Sequence, residues 1–140
     1  MADRYYAWIK IGGRLKAEDV DRFVEAMNNE TQDQITSADL NGQSFLEAYA
    51  DEANCGQFWE LEALCVDLGL TFIRYSSSHY DTVEEFCITR PGLDNDYVAA
   101  LHGMAAFDAR DLDKFSCLDD AIAKLKWVDD FKPPNLLITD

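Results

Sequence analysis

The stretch LTFIRYSSSHYDTVEEFCITRPG, Leu70–Gly92, decides the fold class. Leu70–Tyr75 and Val83–Thr89 are short runs rich in β-branched and aromatic residues, separated by the polar segment SSSHYD. Two such runs predict an antiparallel hairpin with a longish loop, and Arg90-Pro91-Gly92 ends it sharply.

On the N-terminal side of the hairpin, Gln57–Leu68 predicts a helix: Phe58, Leu61, Leu64, Cys65 and Leu68 form one apolar face, and Gly69 stops it. Before it, Phe45, Glu47 and Tyr49 alternate with Leu46, Ala48 and Ala50. Ser44–Ala50 is therefore a second candidate strand, although its alanines also allow a helical turn. Asn28–Gln43 is polar and turn-rich, a loop with at most a short extended piece at Ile35. Ala17–Asn28 predicts a helix with Val20, Phe23, Val24 and Met27 as its core stripe, and Glu18, Asp19 and Asp21 where the helix dipole favours acids. Tyr5–Ile11 alternates as a strand and is closed by Gly12-Gly13. On the C-terminal side, Asp94–Ala105 predicts a helix capped by Asp94 or Asn95, with Tyr97, Val98, Leu101 and Met104 inward. Ser116 is expected to cap a last helix through about Val128, burying Leu118, Ala121, Ile122, Leu125 and Val128, and LLIT then adds an edge strand. The order β-α-(β)-α-β-β-α-α-(β) lacks the strict alternation of a doubly wound sheet. It predicts an α+β domain over residues 1–140, a mostly antiparallel sheet with helices packed on one face.

The block FWELEALCVDLGLTFIRYSSSHYDTVEEFCITRPGLDN, Phe58–Asn95, resembles a segment of small uncharacterised proteins of bacterial mobile elements (plasmid, phage and integron-cassette products). Gly69, Tyr80 and Arg90-Pro91-Gly92 are its most distinctive points. The resemblance implies an accessory protein of unknown activity and transfers no functional residue.

Charge is the strongest functional signal. The chain carries a formal net charge of −15, and from Phe23 to Ile73 there are ten acids and no Lys or Arg. Such a field repels nucleic acid and anionic membrane, so direct binding to either is not expected. It suits a basic protein partner, and the segment Glu25–Asp67 is expected to present a negative face to one, with Glu47, Asp51, Glu52, Glu60 and Glu62 at its centre. In its sharper form this is a nucleic-acid mimic that occludes a nucleic-acid-binding site. Trp8 and Trp59 fall off the predicted core stripes and mark a ligand pocket or a dimer seam. This gives the second reading, a small-ligand binder or small enzyme whose aromatic pocket also uses Arg74, Arg90 or His79; a homodimer fits either reading.

Other constellations carry less. Ser76–Asp81 holds a hydroxyl, an imidazole and a carboxylate, but neighbours in one loop point apart, and no nucleophile elbow is present. Asp108, Asp111 and Asp113 lack the spacing and glycine of a calcium loop, and the pairs Glu60/Glu62 and Glu84/Glu85 read as solvated. Cys55, Cys65, Cys87 and Cys117 show no zinc spacing with His79 or His102. No catalytic residue, metal or cofactor is expected. Reduced thiols point to the cytoplasm, the charged MADRYYAWIK is no signal peptide, and no apolar run reaches the roughly 20 residues of a membrane span.

Overall fold

A computed structural model describes residues 4–40, 42–77 and 83–140. Its spine is β1, Arg4–Lys16. β1 pairs antiparallel with β2 (Leu46–Asn54) on one side and with β3 (Thr71–Ser76) on the other. β4 (Glu85–Arg90), β5 (Leu93–Leu101) and β6 (Met104–Ala105) extend the sheet antiparallel, in the order β2-β1-β3-β4-β5-β6. The four residues Gly13–Lys16 pair parallel with β7, Leu136–Thr139, the expected LLIT strand. The fold is α+β with a mostly antiparallel seven-stranded sheet.

The two-residue period of β1 explains the layering. Ala7, Ile9 and Ile11 are fully buried beneath α1 (Val20–Glu30) and α2 (Trp59–Asp67), where they meet Phe23, Met27, Leu61 and Cys65. Burying each large side chain contributes about 1.5–3 kcal/mol. On the opposite face, Ile73, Phe86, Ile88, Val98 and Ala100 form a second cluster with Val128 of α4 (Leu118–Asp129) and, partly buried, Trp127 and Phe131. Helices α1 and α2 thus share one face, while α4 packs on the other. α4 leaves the β1–β2 part of its face open, with Tyr6 and Tyr49 both 40% exposed.

Several expectations change. Asp94–Ala105 is not a helix but the β5–β6 hairpin. Leu101 pairs with Met104 across His102-Gly103, whose φ values of 53° and 80° place both in the left-handed region that a two-residue hairpin turn uses and a helix cannot. Val98 and Ala100 are buried, but Tyr97, Leu101 and Met104, expected inward, are exposed. Gly12-Gly13 does not close β1, which runs on to Lys16. A Cβ on Gly12 would lie 1.6 Å from the Pro134 carbonyl oxygen, so glycine there admits the C-terminal segment. In α4, Ala121 and Val128 are buried, but Leu118 and Ile122 are exposed, and the helix is entered from Cys117 rather than from a Ser116 cap. The Ser116 hydroxyl instead bonds Asp120 Oδ2 at 2.8 Å.

Candidate functional site

The acid-rich window divides into acids used by the fold and acids left to solvent. Loop residues Gln32 and Asp33 lie along the outer edge of β2. Asp33 Oδ2 accepts from the Tyr49 amide at 3.2 Å, Gln32 Oε1 from the Asp51 amide at 2.6 Å, and the Gln32 amide donates to the Tyr49 carbonyl at 2.8 Å. These bonds close the strand edge to further pairing. Glu30, at the end of α1, accepts from the amides of Glu60 and Leu61 at 3.0 and 2.9 Å. It supplies α2 with the cap that Phe58, with no side-chain oxygen, cannot. Asp39 accepts from the Thr36 amide at 2.8 Å.

Glu62 is largely withdrawn from the predicted surface, its side chain 14% exposed. Its Oε1 accepts from Arg74 Nε at 3.0 Å and its Oε2 from the Phe58 amide at 2.6 Å. The Arg74 side chain is 0% exposed. Arg74 Nη1 reaches Glu85 at 3.4 Å and donates to the Ser76 hydroxyl, while Nη2 has no partner among the described residues. Burial pushes the Glu62 carboxyl above its ordinary range, and the guanidinium only partly offsets this. Burial also lifts the Cys65 thiol well up, and the Cys87 thiol to about 11, so neither is a ready nucleophile. Glu62 is therefore half of an interior ion pair rather than a partner contact, and Arg74 is not the lining of an open pocket.

Of the other predicted acids, Asp51, Glu52 and Glu60 line adjoining grooves, and Glu47 lines neither. Asp51 and Glu52 line a groove of about 470 Å³ with Asn29, Glu30, Thr31, Gln32 and Ala50. Glu60 lines an adjoining groove of about 310 Å³ with Arg22, Glu25, Ala26, Asn29 and Leu64. Asn29 belongs to both, so Glu25, Glu60, Asp51 and Glu52 follow one path from α1 across the start of α2 to the β2 edge. Arg22, the one base on that path, pairs with Asp19 at 3.4 Å. Around the edge, on the open sheet face, Tyr6 and Tyr49 lie with ring centroids 6.3 Å apart. Burial, then Asp51 and Glu47, raise the Tyr6 pKa, so both carboxylates act on that ring's hydroxyl. Sequence reasoning passed over Tyr49 as a contact, although its alternation with Glu47 and Asp51 along β2 was the available signal.

Trp8 and Trp59 do not meet. Trp8 stacks on Tyr75 at 5.6 Å on the open face, with Lys10 Nζ 4.7 Å from its ring. Trp59 is exposed on the flank of α2, which covers the opposite face. It lines a cleft of about 190 Å³ with Gln57, Glu62, Ala63, Val66, Asn95 and Tyr97. Drug-sized ligands need about 300 Å³ or more, so this cleft does not carry the small-ligand reading. Arg90 lies over the Trp127 ring at 5.6 Å. In SSSHYD, Ser76 is buried and bonds the Gly56 carbonyl, Ser77 bonds the Tyr6 carbonyl, and His79, Tyr80 and Asp81 lie outside the described residues. Asp108 and Asp111 form a capping box that starts α3, Ala109–Leu112. No described helix is long and apolar enough to cross a membrane.

Compared with known proteins, the chain matches no family model, no curated protein and no solved structure. The functional reading rests on the chemistry of this surface.

Proposed function

We propose that the protein binds a basic segment of another protein along the Glu25–Glu60–Asp51–Glu52 path. The observation that carries this is the separation of duties among the acids. Glu30, Asp33, Asp39 and Glu62 satisfy the fold, while Glu25, Asp51, Glu52 and Glu60 line adjoining concavities. Lys and Arg side chains of the partner pair with these carboxylates. Tyr6 and Tyr49, beside Glu47 and Asp51, offer ring faces to a further cation. Each exposed pair contributes only about 0–1 kcal/mol, so recognition depends on several at once and weakens with salt. A partner that uses the same cations to hold nucleic acid would be occluded, which gives the mimic reading its test by competition.

The first experiment is amide chemical-shift mapping of the labelled protein against an oligo-arginine peptide. Shifts concentrated at Asn29–Gln32, Tyr49–Glu52 and Glu60 are expected. Shifts as large on the α4 acids Asp119 and Asp120 would reduce the effect to net charge and overturn the proposal.

A further inference from the structure

The outer edge of β5 shares no lining residue with the acidic groove. β6 is only two residues long and covers Ala100 and Leu101. The Ala100 amide donates inward to the Glu84 carbonyl, whereas the Ala99 carbonyl accepts from Ala106 on the outer side. Backbone groups alternate direction along a strand, so Tyr97, two residues before Ala99, also turns its N–H and C=O outward. Among the described residues neither group has a partner. Beside this edge runs a groove of about 140 Å³ walled by Phe107 and Phe115, whose rings are 5.0 Å apart. Its charges cancel: Lys124 pairs with Asp96, and Lys114 with Asp111 at 3.5 Å.

We infer that the β5 edge takes up an extended, uncharged peptide segment of a partner protein. The segment pairs its backbone with Tyr97 and seats one apolar side chain against Phe107 and Phe115. This is strand addition, in which main-chain bonds give affinity and a side-chain pocket gives selectivity. Three features select the occupant. The groove holds only about 140 Å³ between β5 and the Phe107 and Phe115 rings, room for one side chain of a single strand. Its balanced charges favour a neutral segment over the basic one that suits the other edge. A second copy of this chain, at −15, would bring like charge to like.

The test is selection of a displayed library of short random peptides on the intact protein, followed by synthesis of the enriched sequence. Enrichment of peptides with an apolar anchor is expected, with at least tenfold slower hydrogen exchange at the Tyr97 amide when the peptide is bound. Tyr97→Pro should abolish binding with little change in fold, since proline is tolerated on an edge strand whose N–H faces outward. A triple D51N/E52Q/E60Q variant should bind the peptide as before, which separates this site from the acidic groove. The inference is overturned if no peptide is enriched, if the enriched peptide leaves Tyr97 exchange unchanged, or if Tyr97→Pro folds and binds equally. It is also overturned if the protein alone forms a concentration-dependent dimer that protects Tyr97.

Discussion

At the β2 edge, the amides of Tyr49 and Asp51 are held by Asp33 and Gln32; at the β5 edge, Tyr97 has no described partner for its N–H or C=O. The first edge is closed and carries free carboxylates beside it, and the second is open and locally neutral. The difference shows that the acid-rich window divides its acids among separate physical tasks. Part of it satisfies backbone donors that would otherwise recruit another strand, and part forms a charged surface. Between the edges lies the interior pair Glu62–Arg74, where an acid of the same window is committed to the core.

The largest effect should come from that interior acid. Glu62→Ala leaves Arg74 charged and buried, with Glu85 at 3.4 Å as its remaining carboxylate. The expected loss is about 3–5 kcal/mol in urea denaturation. A loss below that of any edge variant would break the division between interior and surface acids. Glu30→Ala should cost about 1–2 kcal/mol by removing the acceptor at the start of α2. The double variant Q32A/D33A should cost about 1 kcal/mol. Its more telling result is hydrogen exchange: the Tyr49 and Asp51 amides should exchange at least tenfold faster. If their exchange is unchanged, the side-chain bonds are not what closes that edge. The smallest effect is spectroscopic. Burial and the Glu84 carboxylate push Tyr75 up to about 12. The folded value lies above the unfolded tyrosine value of about 10, so this contribution to stability is complete below about pH 10 and is lost as pH rises through 12. Tyrosinate absorbance should include a phase near pH 12, and Tyr75→Phe should remove that phase.

Much of the fold was legible because it is written in local periodicity. β1, α1, α2, the β3–β4 hairpin and β7 each follow from the spacing of their own apolar residues. β5 was not, since Tyr97, Val98, Leu101 and Met104 repeat at helical intervals. What overrides them is pairing with β4 and the left-handed His102-Gly103 turn, neither of which the apolar spacing encodes. At the site, Asp51, Glu52 and Glu60 were readable as exposed acids from their surroundings. Glu62 was not placed correctly, although a clue was present: it stands four residues after Phe58 and three before Cys65, inside the apolar stripe of α2. Its partner Arg74 comes twelve residues later, on a strand, and only the folded chain brings them together. The edge-closing role of Gln32 and Asp33 was likewise invisible, because a polar loop is recognised by composition while its contacts depend on where β2 lies.

On the proposed function, position and not charge alone makes the groove a binding surface. The most direct measurement is the affinity of a labelled oligo-arginine peptide for the wild type and two variants matched in net charge. One carries D51N/E52Q/E60Q in the groove; the other carries D113N/D119N/D130N, neutralising exposed acids elsewhere. The groove variant should bind at least tenfold more weakly, the control should change little, and the difference should shrink as salt rises. Equal losses in the two variants would overturn the proposal.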